Sequence, residues 1–285
     1  MSTTSTTNRA AAPKQPQSRP ISSKVYKNTF VRSLRSEIRK MTSLRSTWLT
    51  LGLWLGFGIL ITWAMAATLT NGQNNVGGIN VHGEFHPIFI TGSAQLYYIF
   101  AMVLGALAVT GEYASNTMRT TIVSQTSRMR AFTSKIAAVT IVMGIATALI
   151  IAVLVAVTLL AGGLSWNGGD GNLRALLLFW LACVLTALMI TGAGYILRST
   201  AGSIVTGVMV LFVSEMLRLV PVKFFRETLP KFLPSGATSG MTVSDTANPT
   251  QTIDYLSPGT ATLVWLVYVS VFVILGAIRY QKSDA

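Results

Sequence analysis

The sequence is poor in charged residues and poorest in acidic ones. Only 11% of its 285 residues are charged, and nine Asp and Glu residues stand against 22 Lys and Arg residues. Soluble domains normally contain about 25% charged residues, so the composition argues against an ordinary soluble domain. The net charge of +13 alone would suggest nucleic-acid binding. A nucleic-acid-binding chain, however, is not expected to be this poor in charge overall.

Cysteine and the common catalytic motifs are also scarce or missing. Cys183 is the only cysteine, which excludes an intrachain disulfide and a cysteine metal cluster. The sequence contains no GxxxxGK[ST] phosphate-binding loop, no HExxH and no GxSxG. We therefore expect no catalytic residues, no metal and no cofactor in this chain, and no ATP hydrolysis by it.

What the sequence has instead is a series of long apolar runs. A helix needs about 20 apolar residues to cross a hydrocarbon core about 30 Å thick. These runs predict an all-α integral membrane protein with six transmembrane helices, although the fifth run contains Glu215 and Arg218. The predicted spans are about 48–69, 88–110, 136–160, 175–197, 201–219 and 258–278.

The positions of the basic residues predict the topology. If the N-terminus lies inside, seventeen of the 22 Lys and Arg residues fall on the cytoplasmic side, and ten of them precede the first span. The first outer loop, 70–87, contains none. Basic residues favour cytoplasmic segments, so we predict that both termini are cytoplasmic and that the protein is a multi-pass protein of the plasma membrane.

Two different segments precede the first span. Residues 1–24 are rich in Ser and Thr, contain three prolines and have few apolar side chains, which predicts a disordered cytoplasmic tail. Residues 25–285 are predicted to form the six-span domain.

The segment from Tyr26 to Leu44 has the pattern of an amphipathic basic helix. Apolar residues recur at helical spacing, and arginines occupy other faces. Such a helix is suited to lie in the cytoplasmic headgroup layer; the alternative is a basic flank that only sets topology. The residues of this predicted interfacial helix are Phe30, Leu34, Arg35, Ile38, Arg39 and Met41.

Two polar groups near the predicted spans have alternative interpretations. Glu215 and Arg218 are three residues apart and near enough to pair on a helix. They form a gate or ion pair in a path, or the span simply ends there. His82, Glu84 and His86 would share one face of an extended strand and could bind a metal; a solvated loop is the alternative.

The segment between the second and third spans is the largest internal cytoplasmic loop. Its sequence from Gly111 to Lys135 is GEYASNTMRTTIVSQTSRMRAFTSK, which is too long for a simple turn between helices. A loop of this length has room for a short helix that a partner protein could bind. A solvated connector is the alternative interpretation.

Taken in their order along the chain, these features resemble the membrane-spanning permease subunits of ABC transporters of the ABC-2 exporter type, in an actinobacterial style. The resemblance covers about residues 26–285. It rests on LRSEIRKMTSLRSTWL at Leu34–Leu49, on the loop beginning GEYAS, and on the end LSPGTATLVWLVYVSVFVILGAIRYQKSDA. The family commonly ends in an Arg-Asp pair, whereas this chain has Ser283 and Asp284.

The resemblance implies a division of labour between subunits. The permease pairs with a separate cytoplasmic ABC ATPase, which holds ATP and Mg, and with a second permease subunit as a homodimer or heterodimer. The basic entry helix is then the connecting helix, and residues 111–131 hold the coupling helix that docks into the ATPase. The implied coupling residues are Glu112, Tyr113, Arg119, Thr120, Arg128 and Arg130.

Two other classes remain open from the sequence. One is a non-transporting polytopic membrane protein, such as an immunity or sensor-associated protein. The other is an intramembrane enzyme, for which few polar candidates exist. The transported substrate is not readable; the aromatic residues Trp54, Phe57, Trp63, Tyr97, Tyr98 and Phe100 line a path or serve as packing and interface anchors.

Overall fold

A computed structural model describes residues 29–70, 75–76, 79–80, 83–115, 127–166, 170–217, 220, 222, 224, 228–242 and 255–282. The described chain is helical apart from a short antiparallel ladder. The helices are α1 Phe30–Ser43, α2 Arg45–Thr70, α3 Ile88–Thr91, α4 Ala94–Ala114, α5 Arg128–Gly162, α6 Asp170–Leu197, α7 Thr200–Leu217, α8 Leu229–Phe232, α9 Pro234–Thr242 and α10 Pro258–Lys282. The ladder pairs β1, Asn75–Val76, with β2, Ile79–Asn80.

Five of these helices, α2, α4, α5, α6 and α10, are long and apolar enough to cross a membrane. The predicted helical fold is confirmed, and these five helices are compatible with a membrane protein. The apolar stretch in α7, Thr200–Val213, is shorter. A sixth span and the side of the membrane on which the termini lie therefore stay predictions, and the proposed tail, 1–24, lies outside the described residues.

The second predicted span, 88–110, is displaced along the chain. Residues Ile88–Thr91 form the separate short helix α3, and the long helix α4 begins only at Ala94 and ends at Ala114. Phe89 and Ile90 of α3 are fully buried. The apolar residues at 88–91 thus pack at one end of the bundle rather than starting the span, a distinction that hydropathy does not make.

The third predicted span, 136–160, is part of a much longer helix. Helix α5 begins at Arg128 and has 35 residues, which at 1.5 Å per residue is about 52 Å. This length exceeds the roughly 30 Å of a hydrocarbon core. Phe132, Ser134 and Lys135 in the first turns of α5 are buried: Ser134 and Lys135 contact α1, and Phe132 packs on Tyr195 and Tyr280.

Helix α6 is the centre of the bundle and contacts α4, α5, α7, α9 and α10. Small residues allow close approach at its crossings. A Cβ on Gly105 of α4 would lie 2.4 Å from the carbonyl oxygen of Ala187, and a Cβ on Gly192 would lie 2.6 Å from that of Phe272 in α10. The helix axes therefore approach at distances that only glycine permits.

The segments that were predicted to be cytoplasmic meet at one end of the bundle, which we call the α1 end. Here α1 packs on the first turns of α5, and Tyr195 near the end of α6 contacts Tyr280 near the end of α10 at 5.2 Å between ring centroids. The opposite end holds α3 and the pair Phe85 and Trp166, whose rings are 5.0 Å apart.

The crossing of α6 and α10 gives a first testable prediction. We expect Gly192→Ala to lower the thermal unfolding temperature of the purified protein by several degrees. Its Cβ would meet the backbone of Phe272 and Val273 below 3 Å. Overpacking costs about 1–3 kcal/mol, and in a chain of this size 1 kcal/mol corresponds to about 2–4 °C.

The matched control is Gly56→Ala in α2. It makes the same chemical change in another helix, but its Cβ would have nothing within 4 Å. Because both variants gain the same intrinsic helix propensity, only the crossing distinguishes them. Equal unfolding temperatures for the two variants would contradict the close approach at Gly192.

Candidate functional site

Four charged side chains come together at the α1 end, and we call them the charge cluster: Glu37, Lys40, Glu112 and Lys135. The Lys135 ammonium forms ion pairs with Glu37 and with Glu112, the latter at 2.5 Å. Lys40 Nζ donates to Glu37 Oε1 at 2.7 Å and to Glu112 Oε1 at 3.1 Å. Two carboxylates and two ammonium groups therefore balance in charge.

The charge cluster is largely withdrawn from the surface. The side chains of Glu37 and Lys135 are 1% and 4% exposed, that of Glu112 is 12% exposed, and that of Lys40 is 41% exposed. Removing one partner of a buried pair leaves an uncompensated charge, which is costly. The cluster thus holds together the elements that supply its members.

Helix α1 turns a polar face toward α5. Ser33, Glu37 and Met41, each one turn apart, are the buried residues of α1. The hydroxyls of Ser33 and Ser134 lie 2.8 Å apart. Ser134 directly precedes Lys135, so this hydrogen bond lies beside the ion pair of Lys135 with Glu37. Helix α1 is therefore positioned on α5 by two adjacent polar contacts.

The cluster also joins the two helices that flank the proposed coupling segment. Glu112 lies in the last turn of α4, and Lys135 lies near the start of α5. Residues 116–126 connect these helices and lie outside the described residues. Because Lys40 of α1 contacts Glu112 and Glu37 of α1 contacts Lys135, α1 is bonded to both helix ends at once.

The charges of the cluster also act on Lys40. Burial lowers the pKa of Lys40, but the hydrogen bond that Lys40 donates to Glu37 and the charges of Glu112 and Glu37 outweigh this effect. The pKa therefore lies above its ordinary value of 10.5. Lys40 is accordingly an ammonium group throughout the neutral range.

A tight connection fixes α1 relative to α2. The two helices are separated only by Leu44, which has an extended backbone. The Trp48 indole N–H donates to the carbonyl oxygen of Thr42 at 2.8 Å, and this bond satisfies a carbonyl that would otherwise be unpaired at the end of α1.

An aromatic group lies at the same end of the bundle. The Phe132 ring lies 4.9 Å from that of Tyr195 and 6.2 Å from that of Tyr280. The guanidinium carbon of Arg198 lies 5.6 Å from the centroid of the Tyr113 ring. The ends of α5, α6 and α10 are thereby packed together beside the charge cluster.

The structure corrects the boundaries of the predicted coupling loop, 111–131. Glu112 and Tyr113 belong to α4, and Arg128 and Arg130 belong to the first turn of α5. Because the apolar run ends at Thr110, hydropathy alone placed the helix end too early. Arg119 and Thr120 lie outside the described residues.

The predicted coupling residues therefore have different surroundings. Glu112 is engaged by Lys40 and Lys135, so its carboxylate holds helices together within the chain. Arg128 donates to the backbone carbonyl of Gln281 at 2.9 Å. At least two of the implied coupling residues, Glu112 and Arg128, thus make contacts within the chain.

A helix forms in the segment predicted to be interfacial, at Phe30–Ser43, and its position at a membrane surface stays a prediction. Arg35 and Arg39 are exposed. Phe30 is 43% exposed, and Leu34 and Ile38 are half-buried at the edge of the core. The most buried positions instead include the polar Ser33 and Glu37.

The remaining predicted candidates fall partly outside the described residues. Arg218, His82 and the side chain of Glu215 lie outside the described residues. The structure therefore does not describe the proposed gate formed by Glu215 and Arg218. His86 Nδ1 accepts a hydrogen bond from the Ile88 backbone N–H at 3.2 Å, and burial lowers the pKa of His86. Within the described ranges, no three His, Cys, Asp or Glu residues come close enough to hold a metal.

The aromatic residues considered for a path have different environments. Trp54, Tyr97 and Tyr98 are about 1% exposed, whereas Phe57 and Trp63 are about half exposed. Phe100 is half-buried and its ring stacks on that of Trp54, with the centroids 6.2 Å apart. Only part of the set therefore lies in the interior of the bundle.

The comparison with protein families matches residues 73–285 to a family described as a protein of unknown function, DUF2705. The chain belongs to the DUF2705 family. The match includes Glu112 and Lys135 of the charge cluster, while Glu37 and Lys40 of α1 precede it. A comparison with curated proteins found no match. Family membership therefore supplies no activity, and function has to be argued from the site.

The charge cluster gives a second prediction. We expect Glu37→Met and Lys135→Met each to lower the free energy of unfolding by about 3 kcal/mol, because each removes one ion pair from the buried cluster and leaves its two signs of charge unbalanced. The double variant should lose less than the sum of the two, since it removes both charges and leaves Glu112 paired with Lys40.

Equilibrium unfolding in detergent measures this double-mutant cycle. Arg39→Met is the matched control. It changes an exposed residue of the same helix, and we expect it to stay within about 0.5 kcal/mol of the wild type. Strictly additive losses in the double variant would show that Glu37 and Lys135 do not interact.

Lys40 gives a prediction about pH. Because its pKa is raised in the folded state, its stabilising contribution is complete below about pH 10 and is lost as pH rises through the folded-state value. We expect the difference in unfolding temperature between wild type and Lys40→Gln to be constant at neutral pH and to shrink above about pH 10.5.

Lys40→Arg is the control for this titration, because a guanidinium stays protonated at these pH values. The unfolding temperature of Lys40→Arg should therefore still exceed that of Lys40→Gln at pH 11. If the difference in unfolding temperature between wild type and Lys40→Gln already disappears below pH 9, the pKa of Lys40 is not raised and the prediction is wrong.

Proposed function

We propose that this protein is the membrane-spanning permease subunit of an ATP-driven exporter of the ABC-2 type. It forms the translocation path as a dimer and is coupled to a separate cytoplasmic ATPase through residues 116–126. We further propose six spans, with α7 as the fifth, and both termini in the cytoplasm of a plasma-membrane protein. ATP and Mg belong to the partner chain.

The main support for the proposal is the connection of α1 to both ends of the coupling segment. Lys135 and Lys40 bond Glu112 at the end of α4, and Lys135 also bonds Glu37 in α1. A partner that displaced residues 116–126 would therefore move α1, α4 and α5 together. This rigid connection is what transmission of a motor's movement to membrane helices requires.

The length and position of α7 support six spans. Its 18 residues measure about 27 Å, close to the thickness of a hydrocarbon core. The hydroxyl of Thr200 at its start lies 2.7 Å from that of Thr110, which is near the α1 end. Helix α7 therefore starts at the α1 end, and α10 returns to it.

Polar groups in the bundle interior support an alternative packing of the helices. The hydroxyls of Tyr97 and Tyr98 and the indole N–H of Trp54 are buried without a hydrogen-bond partner among the described residues. Unpaired polar groups are costly in a membrane protein. A second arrangement of the helices that pairs these groups would recover this cost, and an alternating transporter needs two arrangements that are close in free energy.

Co-purification and ATP turnover test the proposal. The tagged chain is purified from its native membranes in a mild detergent, and an ABC ATPase is expected to co-purify with it. In vesicles containing both subunits, we expect Arg119→Ala to lower the permease-stimulated ATP turnover by about tenfold, the size of a strong interface contact.

The control is Arg174→Ala, which removes a basic residue near the start of α6, away from the α1 end. The stricter variant replaces residues 116–126 with a Gly/Ser linker of equal length and leaves α4 and α5 intact. Transport and ATP turnover at the wild-type level in this variant would overturn the coupling proposal. Protection of cells from a toxin without any ATPase partner would favour an immunity protein instead.

A further inference from the structure

The exposed surface of α1 carries basic residues without an acidic one. Between Phe30 and Arg45 the sequence has five basic residues and one acid, Glu37. The structure buries that acid to 1% exposure against Lys135. The other acid described at this end, Glu112, is also bonded to Lys135. Folding thus removes negative charge from the surface and leaves the arginines.

The arginines of α1 follow one side of the helix. Arg35 and Arg39 are four residues apart and Arg32 precedes Arg35 by three, so their side chains lie on one face. Arg35, Arg39 and Arg45 are exposed, and Arg45 begins α2 immediately after the connection at Leu44. We call Arg35, Arg39 and Arg45 the arginine stripe.

Exposed apolar side chains lie in the same two helical segments. On α1, Val31 is 70% exposed and Phe30 is 43% exposed; near the start of α2, Trp48 and Leu49 are 63% and 68% exposed. Amphipathic helices with basic and apolar faces bind at the headgroup layer, and Trp is typical of the membrane interface. An aqueous acidic protein partner would leave these apolar groups in water.

We propose that the arginine stripe binds the phosphate groups of anionic phospholipids and selects them over zwitterionic ones. Guanidinium groups recognise phosphate through paired hydrogen bonds, and a cluster of basic residues beside a membrane span attracts anionic lipids. The inference rests on the exposed charges of α1 and on its place directly before α2, a helix apolar and long enough to cross a membrane. It is independent of transport and of an ATPase partner.

Native mass spectrometry of the full chain in mild detergent tests the proposal. The protein is mixed with equal amounts of phosphatidylglycerol and phosphatidylcholine, and the bound lipids are counted. We expect the wild type to retain phosphatidylglycerol about tenfold more than phosphatidylcholine. The variant Arg35→Gln/Arg39→Gln/Arg45→Gln should show a ratio near one, because each basic residue near the surface contributes a severalfold preference.

Two variants provide the controls. Arg174→Gln/Lys223→Gln/Lys231→Gln removes the same charge outside α1 and should keep the preference. Arg35→Lys/Arg39→Lys/Arg45→Lys keeps the charge and should retain most of the preference for phosphatidylglycerol. If the triple Gln variant does not elute as a folded monodisperse protein, the single variant Arg39→Gln replaces it, with an expected severalfold loss.

Several results would overturn the proposal. One is an unchanged lipid ratio in the triple Gln variant or, where that variant does not fold, in Arg39→Gln. Another is an equal loss in both charge-removing triple variants, which would reflect net charge alone. Displacement of the bound lipid by millimolar glycerol phosphate would indicate a site for free phosphate. Loss of a bound acidic protein with an unchanged lipid ratio would make the stripe a protein-binding surface.

Discussion

The arrangement of the α1 end depends on one buried ammonium group, that of Lys135. A lysine that is 4% exposed needs carboxylates beside it, and the structure supplies them from two directions, Glu37 of α1 and Glu112 of α4. Because a buried charge without a partner is so costly, this requirement determines where α1 lies. It also connects the amphipathic helix to the two helices that flank residues 116–126, and it leaves the exposed side of α1 without a carboxylate.

Much of the helical plan was predictable because hydropathy over 20 residues is a strong signal. The long apolar runs yielded five helices able to cross a membrane, and the spacing of Phe30, Leu34 and Ile38 predicted an amphipathic helix. The last span was predicted to begin at residue 258, and α10 begins there. The signal failed at helix ends, where α3 separates from α4 and where α5 extends beyond its apolar run.

The charge cluster was not predictable to the same degree, because burial is a property of tertiary packing. Glu37 looks like a solvent-exposed acid in a basic helix, and Lys135 looks like one more residue of a basic flank. The available signals were weak: Glu37 is the only acid in α1, and it lies one turn from Ser33 and Met41. Glu112 was identified as a candidate, but through a resemblance that assigned it to a loop.

The distance between α1 and the start of α5 tests the central claim most directly. Spin labels at Arg39→Cys and Ser127→Cys, both exposed positions, with buried Cys183 replaced by Ala, report this distance by pulsed electron resonance in lipid nanodiscs. If the charge cluster holds α1 on α5, the distribution is narrow, and adding Glu37→Gln broadens it. A broad distribution without Glu37→Gln, or a narrow one unchanged by that substitution, would contradict a connection made by these ion pairs.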